Sequence, residues 1–154
     1  MTSVFSALQD RLESCRGALV DSNVLLDIAT NDPVWAQWSA EALAEVAEYS
    51  SLVINPIVYA EMSIGYSTIE ALDAAFPSAF YAREALPWEA GFLAGKCFVD
   101  YRRRGGARNS PLRDFYIGAH AAIGGLALLT RDAACYRTYF PRLEILTPNK
   151  IRRS

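Results

Sequence analysis

The stretch Ala18-Leu19-Val20-Asp21 is a short apolar run that stops at an aspartate. Because polar and apolar side chains do not alternate in it, the run predicts a strand that is buried on both faces, as in a parallel sheet. Similar runs follow at 51–54 and 126–130, and a fourth strand is expected at 143–146. Helical patterns lie between these runs. The order predicts an α/β fold with a parallel central β-sheet of about four to five strands flanked by helices.

Signals for the ends of helices support this order. Asn55-Pro56 and Ser110-Pro111 each combine a capping residue with proline at the first helical position. The pair Gly124-Gly125 is expected to end the helix that begins after Ser110. Apolar residues on one helical face also predict an extra N-terminal helix before the first strand.

The composition predicts one compact domain with an uneven charge distribution. The chain has 154 residues, of which 52% are apolar, so it can bury one core and is too apolar to be disordered. We expect a single domain over 1–154, with an N-terminal extension helix at 1–16 and a core at about 18–148. Residues 1–100 hold 14 acids and 4 Lys or Arg, whereas residues 101–154 hold 3 acids and 11 Lys or Arg. The net charge of -2 therefore hides an acidic part and a basic part.

Cysteine usage and the absence of a leader pattern favour a reducing compartment. Cys15, Cys97 and Cys135 are widely spaced and form no CxxC pair, which argues against a disulfide framework and a zinc site. The first residues lack a basic leader, and the longest uncharged stretch, at 115–130, is shorter than the roughly 20 apolar residues of a membrane span. We therefore expect a cytoplasmic protein with no membrane partner.

Four acids fall at the edge of the predicted sheet where the carboxyl ends of the strands lie. Asp21 directly follows the first strand, and Asp132 lies just beyond the strand at 126–130. Glu61 and Asp114 lie near the starts of two helices that begin at the same edge. Because all four lie at one edge of the sheet, the carboxylates are expected to converge. This is the edge at which open α/β sheets bind ligands.

A converging set of carboxylates predicts a metal site. Like charges at short range repel one another, and a divalent cation relieves that repulsion. Oxygen ligands without histidine or cysteine suit Mg²⁺ or Mn²⁺ better than Zn²⁺, and a metal-activated water would then carry the chemistry. Each acid alone also fits a turn, a cap or a solvated helix start, so the prediction depends on the set. His120 points away from Asp114 on a helix and is interpreted as structural or exposed.

Four segments contain these acids: ALVDSNVLLD at 18–27, INPIVYAE at 54–61, LRDFYIGAH at 112–120 and LLTRD at 128–132. They resemble the motifs of PIN-domain ribonucleases, and their order resembles VapC-type toxins of bacterial toxin-antitoxin pairs, over about 18–148. The resemblance implies a PIN-like fold and a Mg²⁺- or Mn²⁺-dependent endoribonuclease that cleaves RNA. It also implies a cognate VapB-type antitoxin as inhibitor, and a homodimer or a larger toxin-antitoxin assembly.

The resemblance also implies roles for single residues. Asp21, Glu61 and Asp114 would be the core metal-binding acids. The fourth acid, Asp132, would act through a second metal ion or a water. Supporting polar positions beside the site are Asn23 and Thr130.

Arginines near the last two acids are candidate contacts to RNA. Arg108 and Arg113 flank the loop that leads to Asp114, and Arg131 directly precedes the fourth acid. Since guanidinium groups bind phosphate, these three side chains would hold RNA beside a metal ion. The arginine run at 102–104 fits a solvated helix end equally well.

Two alternative functions stay open at this point. A PIN scaffold could act as a protein-binding module without cleavage, although acids at all four positions speak against it. A metal-dependent phosphatase of the haloacid dehalogenase type would need Asp-x-Asp after the first strand, and Asn23 stands at the second of those positions. Toxins of the resembling group often begin almost directly with the first strand, so the N-terminal helix is a departure from their pattern.

Overall fold

The computed structural model describes residues 2–106 and 111–147, and within them helices and strands alternate along the chain. The strands are β1 (Gly17–Val20), β2 (Leu52–Ile54), β3 (Tyr81–Arg83), β4 (Leu126–Leu129) and β5 (Ile145–Leu146). The helices are α1 (Thr2–Glu13), α2 (Ser22–Ala29), α3 (Ala36–Tyr49), α4 (Pro56–Ser63), α5 (Ile69–Ala75), α6 (Trp88–Arg103), α7 (Leu112–Gly124) and α8 (Ala134–Tyr139).

One parallel sheet, in the order β3-β2-β1-β4-β5, forms the centre of the molecule. Strand β1 lies in the middle, where Ala18 pairs with Leu52 on one side and with Ala127 on the other. The three central strands are buried at every position, as expected for non-alternating apolar runs covered on both faces. The predicted α/β class and parallel sheet are confirmed, and the sheet has five strands.

The two edge strands follow the sequence patterns less closely. The patterns do not predict β3, whose residues Tyr81 to Arg83 are half-buried or exposed and pair only with β2 in the described sheet. An edge strand of this kind lacks the continuous apolar run that identifies the central strands. At the other edge, β5 is shorter than the predicted strand at 143–146.

The signals predicted for the start of α4 and for the end of α7 are confirmed. Helix α4 starts with proline, and the Oδ1 atom of its cap, Asn55, accepts a hydrogen bond from the backbone N–H of Val58 at 3.0 Å. Helix α7 ends at Gly125, whose φ of +67° is a conformation that glycine adopts without steric cost. The predicted cap at Ser110 lies outside the described residues. None of the described helices is both long and apolar enough to cross a lipid bilayer.

Helix α1 is the expected N-terminal extension, and it packs onto the core. Leu8 and Leu12 are buried. Arg11 joins the helix to the last edge strand, because its Nε donates to Glu144 Oε2 at 2.7 Å and its Nη2 donates to the carbonyl of Ile145 at 2.8 Å. The extension therefore belongs to the same packed unit as the sheet.

Candidate active site

Three of the four predicted acids come together at the carboxyl edge of the sheet. Asp21 follows β1 and is the N-cap of α2, Glu61 lies in α4, and Asp114 lies in the first turn of α7. A single guanidinium, that of Arg113, forms ion pairs with all three carboxylates. We refer to Asp21, Glu61 and Asp114 as the acid cluster.

The side chain of Arg113 fills the space between the members of the acid cluster. Its Nε donates to Glu61 Oε2 and its Nη2 to Glu61 Oε1, both at 2.7 Å, so this carboxylate is bound by two parallel hydrogen bonds. Its Nη2 also donates to Asp21 and, at 2.8 Å, to the hydroxyl of Ser22, and its Nη1 donates to Asp114. Every nitrogen of the guanidinium therefore contacts a carboxylate.

Two hydroxyl groups orient the buried carboxylate of Asp21. Its Oδ2 accepts hydrogen bonds from Thr130 and from Tyr136, each at 2.9 Å. Burial raises the pKa of Tyr136, and the charges of Asp21 and Asp114 raise it further. The phenol therefore stays protonated and serves Asp21 as a hydrogen-bond donor.

Charge is unevenly balanced within the acid cluster, because three carboxyl groups share one guanidinium. Burial disfavours the charge of Arg113, but the hydrogen bonds to Glu61 and the charge of Asp21 outweigh burial and hold its pKa above its ordinary value. Arg113 therefore remains a cation, and as one positive charge it leaves a surplus of carboxylate.

The ligand types of the acid cluster suit a hard divalent cation, since carboxylate oxygens are the donors that Mg²⁺ and Mn²⁺ prefer. In the arrangement that the structure shows, the cation between the carboxylates is the guanidinium of Arg113. Among residues 2–106 and 111–147, no three Asp, Glu, His or Cys side chains are placed so as to hold a metal ion. The donor atoms of the acid cluster therefore suit a divalent cation, but with Arg113 between them the three carboxylates are not arranged around one in the described residues.

Asp132, the fourth predicted acid, lies apart from the acid cluster. Its side chain is exposed, and its Oδ1 accepts a hydrogen bond from the backbone N–H of Ala134 at 3.4 Å, where α8 begins. Its own backbone N–H contacts the hydroxyl of Thr130 at 3.3 Å. Among the contacts of the described residues, none joins the Asp132 carboxylate to the acid cluster directly. Its link to the cluster passes through Thr130.

The two predicted supporting residues tie the loop after β4 to the start of α2. Asn23 Nδ2 donates to the Thr130 hydroxyl at 3.3 Å, and Asn23 Oδ1 accepts from the backbone N–H of Arg131 at 3.3 Å. Since Thr130 in turn donates to Asp21, both polar residues contribute to the position of this aspartate.

Two of the three arginines considered for RNA are placed by the structure, and both bind carboxylates in it. Arg113 lies in the acid cluster. Arg131 donates to Asp27 from Nε at 2.9 Å and from Nη2 at 3.0 Å, and its guanidinium lies 5.1 Å from the centroid of the Trp35 ring. Arg108 lies outside the described residues. Every guanidinium nitrogen of Arg113 is engaged, so its contact with RNA would require these ion pairs to open.

Sequence patterns miss three residues that support the acid cluster or its surroundings: Ser22, Asp27 and Tyr136. Ser22 stands directly after Asp21, and its hydroxyl donates to Glu61 Oε1 at 2.7 Å. Its position beside the first acid is a signal that could have identified it. Tyr136 reaches Asp21 from α8, which packs against α7, and no local pattern in the sequence predicts this contact.

His120 lies in the interior of α7, away from the acid cluster. Its Nδ1 lies 3.1 Å from Asn55 Nδ2, and its Nε2 lies 3.3 Å from Glu84 Oε1. Burial lowers the pKa of His120, so the ring is neutral near pH 7 and accepts from the Asn55 amide. Since Asn55 caps the helix that carries Glu61, His120 has a structural role in positioning α4.

Comparisons with known proteins identify the family and the fold of the chain. The family model of the PIN domain matches residues 18–141. No curated protein matches the chain. Solved structures that resemble the chain share 16–19% of its residues. Likeness at this level of identity shows a shared fold, whereas function depends on the residues of the site.

Solved structures of toxin-antitoxin proteins share the fold. The chain is similar to VapBC2 from Rickettsia felis bound to a DNA fragment from the promoter, at 18% identity and a TM-score of 0.64, covering 84% of this chain and 97% of that one. It is similar to VapBC-1 from nontypeable Haemophilus influenzae, at 18% identity and a TM-score of 0.65, covering 86% and 98%. It is also similar to a toxin-antitoxin complex from Klebsiella pneumoniae, at 18% identity and a TM-score of 0.63, covering 86% and 98%.

Proposed function

This chain belongs to the PIN domain family, and we propose that it is a metal-dependent endoribonuclease, the VapC-like toxin of a type II toxin-antitoxin pair. PIN domains are generally nucleases, which supports hydrolysis of a nucleic acid as the reaction. The observation that carries the proposal is the convergence of Asp21, Glu61 and Asp114 at the carboxyl edge of the sheet. In open α/β folds this edge is where ligands bind.

The residues of the acid cluster would hold Mg²⁺ or Mn²⁺. When bound, the cation supplies an activated water and stabilises negative charge on the phosphate. Thr130 and Tyr136 donate to Asp21 and fix its carboxylate, and Ser22 does the same for Glu61. Such outer contacts keep ligands in the orientation that a cation requires.

Asp132 would act beside the acid cluster rather than within it. Its exposed carboxylate lies just after β4, at the same edge of the sheet, and would orient a water or a second cation there. Arg108, Arg113 and Arg131 stay candidate contacts to RNA phosphate, because all three lie in the part of the sequence that is rich in arginine.

An antitoxin protein is the proposed partner. The likeness to a toxin-antitoxin complex from Klebsiella pneumoniae supports it, since the fold is shared over most of both chains. A basic side chain of the partner would enter the acid cluster and exclude the metal. Unchanged partner binding by the Asp21→Asn and Asp114→Asn variants would contradict that mode of inhibition. A homodimer, a larger toxin-antitoxin assembly and a cytoplasmic location belong to the same proposal.

One cleavage assay tests the proposed reaction. A labelled RNA is incubated with the purified chain and Mg²⁺, Mn²⁺ or a chelator, and the wild type is compared with Asp21→Ala and Asp114→Ala. We expect cleavage only with the metal and only by the wild type. Cleavage in the chelator, or equal cleavage by the variants, would contradict the proposed mechanism.

The position of Arg113 favours a second candidate, a PIN scaffold that binds protein without cleaving RNA. With its carboxylates bound to a guanidinium, the acid cluster resembles a structural ion-pair network. The same assay separates the two candidates, because a scaffold would leave RNA intact at every metal concentration. Membership of the PIN family removes the support for a phosphatase of the haloacid dehalogenase type.

A further inference from the structure

We propose that Arg113 is a built-in competitor of the metal ion: its guanidinium occupies the acid cluster and must leave before a divalent cation binds. Arg113 thereby sets the apparent metal affinity of the chain. The inference rests on the proposed metal site.

The guanidinium and a metal ion would use the same oxygen atoms. Arg113 contacts Oδ1 of Asp21, both carboxylate oxygens of Glu61, and Oδ1 of Asp114. A Mg²⁺ ion binds such oxygens at roughly 2.0–2.1 Å. A cation at that distance from the same atoms would lie next to the guanidinium, and the two positive groups would repel each other. Occupation by Arg113 and by metal is therefore mutually exclusive.

Arg113 has a way out of the acid cluster. Its side chain is partly exposed to solvent, and it lies in the first turn of α7 rather than in the core. Because the carboxylates hold its pKa above the ordinary value, it does not leave by losing its proton. Release of the cluster requires the side chain to rotate away.

The surplus of carboxylate provides the driving force for the exchange. One guanidinium serves three carboxyl groups, whereas a divalent cation brings twice the charge to the same position. Metal binding would therefore stabilise the cluster better than Arg113 does. At low metal concentration, Arg113 would hold the cluster together.

This competition has a quantitative consequence. If the guanidinium occupies the cluster about nine-tenths of the time, the apparent metal affinity falls about tenfold relative to a chain without it. Removal of the guanidinium should then raise the affinity by the same factor. A residue that only positions the ligands would have the opposite effect.

The test is a calorimetric titration of Mn²⁺ into the purified full chain as wild type, Arg113→Gln and Arg131→Gln. Arg131 is the matched control, since it also pairs with a buried aspartate but contacts no member of the acid cluster in the described residues. We expect Arg113→Gln to bind Mn²⁺ about tenfold or more tightly than the wild type. Arg131→Gln should bind like the wild type.

Thermal unfolding gives a second measurement on the same proteins. Without metal, Arg113→Gln should melt below the wild type, because its carboxylates lack a counterion. Saturating Mn²⁺ should raise its melting temperature more than that of the wild type. If Arg113→Gln does not fold without metal, Arg113→Lys replaces it, since one ammonium group cannot contact all three carboxylates in the same way.

The outcomes separate this inference from the proposed function. Equal or weaker Mn²⁺ binding by Arg113→Gln or Arg113→Lys would overturn the competition and leave the metal site in place. Absence of Mn²⁺ binding by every variant and by the wild type would overturn both. If the Arg131→Gln control binds Mn²⁺ as much more tightly as the Arg113 variant does, the effect is a nonspecific consequence of losing a positive charge. That result would also contradict the role of Arg113.

Discussion

Helix α2 and its cap carry two buried aspartates, and each is paired with an arginine. The Asp21 side chain is 1% exposed and that of Asp27 is 5% exposed. Their partners, Arg113 and Arg131, each have side chains that are 31% exposed. Burial and pairing alone therefore do not distinguish the two sites.

Charge balance does distinguish them. Arg131 donates two hydrogen bonds to Asp27 alone, and Ser39 donates a third to the same carboxylate at 2.9 Å. Arg113, by contrast, is shared by all members of the acid cluster. In the Asp27–Arg131 pair, one positive charge balances one negative charge. In the acid cluster, the surplus of carboxylate can attract a cation of higher charge. The surplus, rather than burial, marks the candidate active site.

The largest expected effect comes from exchanging the two aspartates for asparagine. Asp21→Asn removes a metal ligand and should lower RNA cleavage by at least about 100-fold, more than the loss of an outer contact. Asp27→Asn should keep cleavage within a few-fold of the wild type, because Asp27 contacts no member of the acid cluster in the described residues. Initial rates on one labelled RNA measure both. Equal losses would erase the distinction between the two pairs.

Arg131→Gln should mainly affect stability. It leaves the buried carboxylate of Asp27 without its counterion, which should lower the free energy of unfolding by about 3 kcal/mol. Urea denaturation with and without Mn²⁺ measures the effect. We expect the metal not to restore this loss, in contrast to Arg113→Gln. A full rescue by Mn²⁺ would mean that the Asp27 pair is also a cation site.

Tyr136→Phe tests the hydroxyl that orients Asp21. The phenylalanine ring fills the same space, so the loss is one hydrogen bond and about 1 kcal/mol of stability. Because contacts behind a metal ligand affect its affinity, Mn²⁺ binding should weaken about tenfold. Calorimetry on the folded variant measures this. An unchanged affinity would assign Tyr136 to packing alone.

His120 provides the smallest effect and a contrast in pH dependence. Burial lowers its pKa below the ordinary value of 6.5, so the unfolded chain binds a proton at a higher pH than the folded chain does. Its contribution to stability is therefore complete above pH 6.5 and decreases as the pH falls through the lower pKa of the folded state. The hydrogen bond from Arg16 lowers the pKa of Glu84 from its ordinary 4.5, so the contribution of Glu84 decreases only below that pH.

The His120→Gln variant should accordingly lose less stability than the wild type between pH 6.5 and 4.5. Thermal unfolding at several pH values measures the slope. Equal slopes for both proteins would mean that His120 does not titrate differently in the two states. Mn²⁺ should not alter the difference, because His120 contacts Asn55 and Glu84 rather than the acid cluster.

The sheet and the position of its acids could be predicted because they depend on strand order. A residue that directly follows a central parallel strand lies at the carboxyl edge whatever else surrounds it, and Asp21 follows β1 in this way. The starts of α4 and α7 bring Glu61 and Asp114 to the same edge. The exposed place of Asp132 was not predictable, since it depends on the turn that its neighbours form before α8.

The direction of the Arg113 side chain could not be predicted either. The sequence places it beside Asp114 and gives a contact to RNA as its candidate role. Its inward position depends on the carboxylates of Asp21, which caps α2, and Glu61 in α4, both distant from it in sequence. Tyr136 is a similar case, because its contact with Asp21 spans 115 positions. Long-range charge and packing decide both side chains.

The central claim is that the surplus of carboxylate makes the acid cluster a site for a divalent metal ion. Calorimetric titration of Mn²⁺ into the wild type, Asp114→Asn and Asp27→Asn tests it most directly. We predict saturable binding by the wild type and Asp27→Asn, and at least about tenfold weaker binding by Asp114→Asn. Unchanged binding by Asp114→Asn, or an equal loss in Asp27→Asn, would contradict the claim.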